Sequence, residues 1–272
     1  MRTNGARVSP LRARPHDHLI WTFDGPAAFA AVVVPFLAEG SARGEFVMYL
    51  ADDPDPSVAR RLGRTAAPGA IQVASIAEVY GASGIVDARV QRAVFASVLA
   101  DSLAGGFTGI RVAADNSALV ADDDRRSAWL RWEFVADEFI AGNPVAGLCG
   151  YDVRRVGPGV LGHLASVHPL RSAAGPAPAY RIYSDGGALM LVGEPDLIAV
   201  AKIRVALDAA PGRTGVVVDL AAARSITETA MSGLRGLAES GVEVTIRGTW
   251  ALIALLSESA GDPIANLRFV GG

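Results

Sequence analysis

Apolar positions recur along this chain in two rhythms. Short apolar runs alternate with stretches whose apolar residues return every three or four positions, the pattern of buried strands alternating with amphipathic helices. In the first two thirds, runs at 18–23, 45–50, 71–75, 109–113 and 145–151 read as strands. Helical spacing covers 26–39, 90–103, 125–141 and 160–167. Within 125–141 the apolar residues stand at 129, 132, 135, 136, 139 and 140. This alternation predicts an α/β fold: a largely parallel sheet with helices on both faces and right-handed crossovers.

The pattern breaks at 172–178, which is small, proline-bearing and aperiodic, as suits an extended connection. We place a first domain at 1–171, a linker at 172–179 and a second domain at 180–272. The second domain reads strand, strand, helix, strand, helix, strand, helix. Its first two strands flank Asp185-Gly186-Gly187, a hairpin signal. Helices follow at 197–210, 230–239 and 250–257, strands at 216–220 and 242–247, and a short strand at 268–270.

Composition narrows the function classes. Of 272 residues, 51% are hydrophobic and 19% charged, ample for packed cores, and the net charge of −3 offers no nucleic-acid footprint. The richest basic stretch, Arg2 to Arg14, carries four arginines and reads as a ragged terminus. The single cysteine, Cys149, excludes an internal disulfide and fits a reducing cytoplasm. No secretory signal is evident, and the apolar run 27–37 contains Pro35 and is too short to span a bilayer.

In a parallel sheet, ligands collect beyond the carboxyl ends of strands. The segment after the first strand, Asp24-Gly25-Pro26, lacks the glycine spacing and lysine of a phosphate-cradling loop, and the only lysine is Lys202 in the other domain. We therefore expect no nucleotide hydrolysis and no enzyme activity. Candidate site residues in the first domain are His18, the aromatic pair Trp21 and Phe23, Asp52, Asp115, Glu133 and Cys149, with Tyr151, Asp152 and His168. Each has a plainer role: aspartates after strands cap helices or shape turns, Glu133 pairs with Arg126 or Arg131 in solvent, and Cys149 fills core. No His and Cys stand at metal-ligand spacing, so no metal is expected.

Five motifs in fixed order give the first domain a resemblance. The stretch from His18 through FLAEGSARGEFVMYLAD, the RWE of Arg131 to Glu133, the CGYD of Cys149 to Asp152 and the HP of His168-Pro169 resemble the MEDS sensory domain over about residues 14–171. That family looks like a degenerate relative of RecA-like or KaiC-like ATPases. The resemblance implies a sensory input domain in which His18, Glu133, Cys149, Tyr151, Asp152 and His168 are pocket or structural residues. An apolar small molecule, a flat pterin-like ring or a nucleotide would each suit an aromatic-lined sheet end.

The second domain resembles a STAS domain, the module of anti-sigma-factor antagonists, through LVGEPDL at 191–197, VVVDLAAARSI at 216–226, IRGTW at 246–250 and LRFV at 267–270. Where that family reads Asp-Ser-Ser-Gly at a helix start, with the first serine phosphorylated by an anti-sigma kinase, this chain has Thr227, Glu228, Thr229 and Ala230. Three readings of that junction stand side by side. Glu228 imitates the phosphorylated state with a fixed charge; or Ser225 to Glu228 is a capping box, or Thr227 a cap, without regulation; or Thr229 receives the phosphate. The resemblances together imply a cytoplasmic regulator in which a sensor governs a STAS module that binds an anti-sigma factor, a switch kinase or another regulatory protein. A scaffold with both domains degenerate, and a cryptic nucleotide-binding enzyme, are the alternatives.

Overall fold

The computed structural model describes residues 2–64, 69–210, 212–259 and 263–272. The chain divides into two compact units, 2–177 and 178–272.

The first unit is built on seven parallel strands: β1 (Gly5–Arg7), β2 (His18–Phe23), β3 (Phe46–Ala51), β4 (Ile71–Ser75), β5 (Ile110–Asp115), β6 (Val145–Asp152) and β7 (Leu170–Ser172). Their order across the sheet is β1-β7-β2-β6-β5-β3-β4. Helices form the crossovers: α1 (Gly25–Ala42), α2 (Pro56–Gly63), α3 (Ile76–Tyr80), α4 (Ala88–Ala104), α5 (Asp123–Gly142) and α6 (Pro158–Ala165).

Because side chains alternate across a strand, the central strands β2, β5 and β6 feed two separate cores. Leu19 and Phe23 of β2, Tyr49 of β3, Ala113 of β5 and Leu148 of β6 pack with Phe29, Val33, Phe36 and Leu37 of α1 and Val58 and Leu62 of α2. The alternate residues, His18 of β2, Val112 and Ala114 of β5 and Cys149 of β6, face Tyr80 of α3, Phe95 of α4 and Trp132 and Phe139 of α5. By length and composition α1 could cross a membrane. Here its Phe29, Val33, Phe36 and Leu37 are buried in the core instead.

The N-terminal stretch is not a ragged end. Gly5 to Arg7 pair with Leu170 to Ser172 and extend the sheet by one strand. The Arg2 guanidinium donates to Asp137 of α5 (2.9 Å) and to the His16 carbonyl (2.8 Å). Arg111 of β5, fully buried, donates to the Ala13 carbonyl (3.0 Å), pairs with Glu45 and lies over the Phe36 ring at 4.9 Å. An open sheet edge and a buried carboxylate supply these partners, and local composition records neither. The start of the expected linker is also held: Ser172 belongs to β7, and Arg171 donates to the Gly175 carbonyl (3.4 Å).

Several short elements carried no visible period. Local caps define two of them. The Asp55 carboxylate accepts from Ser57 N ahead of Pro56 at the start of α2, and Ser75 and Glu78 form a capping box on α3.

The second unit is a five-stranded mixed sheet in the order β12-β11-β10-β9-β8. It comprises β8 (Tyr180–Asp185), β9 (Ala188–Gly193), α7 (Leu197–Ala209), β10 (Gly215–Asp219), α8 (Glu228–Glu239), β11 (Glu243–Gly248), α9 (Trp250–Ser259) and β12 (Leu267–Gly271). The first two strands are antiparallel and the rest run parallel. Gly186 and Gly187 take φ of 56° and 82° in the hairpin turn, a region L side chains rarely adopt.

Candidate functional site

The face of α5 that packs on the sheet repeats at positions 129, 132, 133, 136, 137 and 140, and two of those six positions are acids. Glu133 and Asp137 are therefore driven into the interior by the same periodicity that buries Trp129 and Ile140. Both are at most 1% exposed. A buried carboxylate requires partners, and the strands supply them.

Tyr151 of β6 donates its hydroxyl to Glu133 Oε1 (2.8 Å) and accepts from Trp129 Nε1 (2.7 Å). His18, the first residue of β2, places Nε2 3.4 Å from Glu133 Oε2 and 3.4 Å from Cys149 Sγ. Its other ring nitrogen, Nδ1, donates to Asp137 Oδ1 at 3.1 Å, and Asp137 in turn receives Arg2. His168, between α6 and β7, donates from Nδ1 to the Leu164 carbonyl (2.8 Å) and aims Nε2 at the same Glu133 Oε2, 3.4 Å away. The two imidazoles sit 4.2 Å apart, centre to centre. A Cβ on Gly147 would crowd Ile140 Cδ1 at 3.0 Å and meet His18 Cδ2 at 3.5 Å, an ordinary contact. His18, Glu133, Cys149 and His168 converge, with one donor atom from each inside a 4.8 Å span.

Charge is distributed unevenly over this cluster. Burial opposes a charged His18, but Cys149, Asp137 and Glu133 outweigh it and hold the imidazolium well above the usual histidine range. Burial pushes His168 down to about 4 against the pull of Glu133, so its ring is neutral at physiological pH. Burial also works against the Glu133 carboxylate, yet His168, His18 and Tyr151 bring it below the usual value. Burial, reinforced by Glu133, pushes the Cys149 thiol up to about 11. Cys149 is therefore a thiol at neutral pH, unlike a reactive thiolate.

Beside the cluster lies a cavity of about 50 Å³. His18, Cys149 and Asn116 provide its polar wall, and Tyr80, Phe95, Trp132 and Phe139 much of the apolar remainder. The Asn116 side-chain oxygen is buried without a hydrogen-bond partner among the described residues.

The other expected site residues lie elsewhere. Trp21 and Phe23 point to the opposite face of the sheet, where Phe23 stacks on Phe29 at 4.4 Å. The pleat of β2 separates them from His18, so the aromatic wall of the cavity comes from helices rather than from this pair. Asp52, Asp115 and Asp152 do stand at or just past the ends of β3, β5 and β6, but as partners of arginines. Asp152 pairs with Arg154 (2.6 Å), Arg154 with Asp24 (3.3 Å), and Arg155 with Asp52 (2.9 Å) and Asp115 (3.9 Å). Ser117 donates to Asp115 (2.6 Å) and accepts from Asp152 N (2.9 Å), closing the turn. Glu133 is not the solvated partner of Arg126, which instead binds Asp123 (2.6 Å). Asp137 and Trp129 were missed as site residues, although an acid pair four apart on an apolar helical face was there to be read.

In the second unit, Glu228 is the first residue of α8 and Thr227 is its N-cap, accepting from Ala230 N at 3.1 Å. The Thr227 and Thr229 hydroxyls lie 3.0 Å apart. The cap is thus Thr227 itself, not a capping box from Ser225.

No curated protein matches the chain. The family model described as MEDS, the MEthanogen/methylotroph, DcmR Sensory domain, matches residues 17–169, a span that holds His18, Glu133, Cys149 and His168, and the chain belongs to this family.

Proposed function

We propose that this protein is a cytoplasmic signalling regulator whose first unit senses a small, largely apolar molecule and whose second unit is a STAS-type module that engages an anti-sigma factor, a switch kinase or another regulatory protein. The observation that carries the reading is the cavity walled by His18, Cys149 and Asn116 on one side and four aromatic rings on the other. Apolar walls with a few convergent polar groups are the usual make-up of a ligand site. One water needs roughly 10–15 Å³ of such space. About 50 Å³ therefore suits a molecule of a few heavy atoms better than a pterin-like ring or a nucleotide.

The reading contains no turnover. The carboxylates past β3, β5 and β6 are paired with Arg154 and Arg155, and the turn after β2, Asp24-Gly25-Pro26, carries no lysine. The RecA-like relationship is supported by the all-parallel first sheet, and the STAS reading by the mixed second sheet and by a strand, loop and helix that put Glu228 at a helix start. Leu197 and Ile198, 54% and 50% exposed at the beginning of α7, lie near this start, since Thr227 N reaches the Pro195 carbonyl at 3.5 Å. A ligand controls such a surface only by binding its two arrangements with different affinity.

A homologous series of short-chain alcohols tests the reading through melting temperature. We expect stabilisation that grows with chain length up to a few heavy atoms and then stops, and that vanishes in Ala136→Phe, which fills the cavity. Stabilisation that continues with length, or survives Ala136→Phe, overturns it. A nucleotide-turnover assay on the same protein should give no product.

A further inference from the structure

We propose that His18, Glu133, Cys149 and His168 bind one divalent transition-metal ion of the zinc type, a site that goes beyond the cavity reading and does not depend on it. The geometry is the first argument. Zinc bonds of about 2.0–2.3 Å in a tetrahedron put neighbouring donor atoms roughly 3.3–3.8 Å apart. Three of the six donor pairs here already lie at 3.4 Å: His18 Nε2 to Glu133 Oε2, His168 Nε2 to Glu133 Oε2, and His18 Nε2 to Cys149 Sγ. All four donors stay within 4.8 Å of one another.

The supporting contacts are the second argument. Ligating histidines almost always donate their other ring N–H to a carboxylate or a backbone carbonyl, which fixes the tautomer and turns the free nitrogen toward the metal. His18 does so to Asp137, itself held by Arg2, and His168 does so to Leu164 O. Tyr151 holds Glu133 Oε1, leaving Oε2 to face the two rings.

The third argument is a deficit. Glu133 Oε2 and His168 Nε2 are both buried without a hydrogen-bond partner among the described residues. With Nδ1 of His168 committed as a donor, Nε2 offers only a lone pair, and it looks at a carboxylate oxygen, a second acceptor. A protonated His18 can serve Glu133 and Cys149, but it leaves His168 Nε2 unsatisfied. A cation between them satisfies all four atoms. Two imidazoles, a sulfur and one carboxylate oxygen suit zinc, cobalt or iron and do not suit magnesium or calcium, which take oxygen ligands and water. On binding, His18 gives up its Nε2 proton and Cys149 its thiol proton, both to solvent, so that His18 coordinates as a neutral imidazole still donating Nδ1–H to Asp137 and Cys149 coordinates as thiolate.

The test uses the full chain, kept reduced, stripped with a chelator and reloaded with Zn²⁺ or Co²⁺ alone. We expect one metal per chain by elemental analysis. The cobalt form should show intense tetrahedral d–d bands and a thiolate-to-cobalt charge-transfer band. Cys149→Ser should lose the charge-transfer band, and His168→Gln and Glu133→Gln should each weaken binding at least 10-fold, whereas His163→Gln, on the exposed side of α6, should bind as the parent does. The proposal is overturned if folded parent protein retains no metal, if its cobalt form shows no sulfur charge-transfer band, or if Cys149→Ser and His168→Gln bind as tightly as the parent. Because the parent's cobalt spectrum decides by itself, a variant that fails to fold leaves the test intact.

Discussion

Glu133 Oε2 and His168 Nε2 face each other at 3.4 Å in the interior of the first unit, and each is buried without a hydrogen-bond partner among the described residues. Two acceptors in such a position raise the free energy of the metal-free fold. Glu133→Gln adds an amide N–H that can donate to His168, and it keeps the acceptor for Tyr151. Glu133→Ala strips both. We expect Glu133→Ala to cost about 3 kcal/mol of stability and Glu133→Gln about 1 kcal/mol or less, checked by urea unfolding of chelator-treated protein. The reverse order would contradict the hydrogen-bond account.

The N-terminal stretch supplies a cation to that same interior. Arg2 reaches Asp137, which is 1% exposed and also holds His18. Arg2→Ala leaves a buried carboxylate with one partner fewer and should cost about 1–3 kcal/mol. Deleting residues 1–8 removes β1 as well and should lower the melting temperature further. A truncated chain that melts with the parent would show that the segment is a tail after all.

Lys202 gives the second unit a pH dependence of definite sign. Burial brings its ammonium down from the usual lysine value to about 8, against the attraction of Asp196. A base whose folded value lies below its unfolded value favours the fold only when neutral. The penalty is therefore present below about pH 8 and fades as the pH rises toward the unfolded lysine value. Lys202→Met should stabilise the unit by about 1–3 kcal/mol at pH 7, with the advantage shrinking at pH 9 and 10. Thermal scans of both proteins across that range settle the sign.

At the start of α8, cap and charge separate by mutation. Thr227→Ala removes the bond to Ala230 N and should cost about 1 kcal/mol. Glu228→Ser removes a favourable charge at a helix start and should cost only about 0.3–1 kcal/mol. If Glu228 acts as a fixed imitation of a phosphoserine, that small change should nevertheless alter capture of a purified anti-sigma kinase. Unchanged capture leaves Glu228 as a helix residue only.

Much of this architecture was legible in the chain. Periods of two and of 3.6 placed the long strands and helices to within a few residues, because burial on one face imposes them. Three-residue strands such as Gly5–Arg7 show no period and exist only through a partner far away in sequence, so they were invisible. The site was half legible. His18, Glu133, Cys149, Tyr151 and His168 were named, but no local spacing joins residues drawn from β2, α5, β6 and the turn after α6. Trp21 and Phe23 were misplaced for a simple reason: a strand sends neighbours to opposite faces, and only the three-dimensional sheet shows which face holds the cavity. The Asp115-Asn116 turn was read for its carboxylate, whereas the asparagine is the residue that reaches the cavity.

The sensory reading stands or falls on whether the cavity of the first unit takes a guest. Two-dimensional amide NMR of the full chain under rising xenon pressure measures this directly. The account predicts saturable shifts centred on Val112, Ala136, Phe139 and Cys149, absent in Ala136→Phe. Signals that stay in place in the folded parent, or shifts that persist when the cavity is filled, would contradict it.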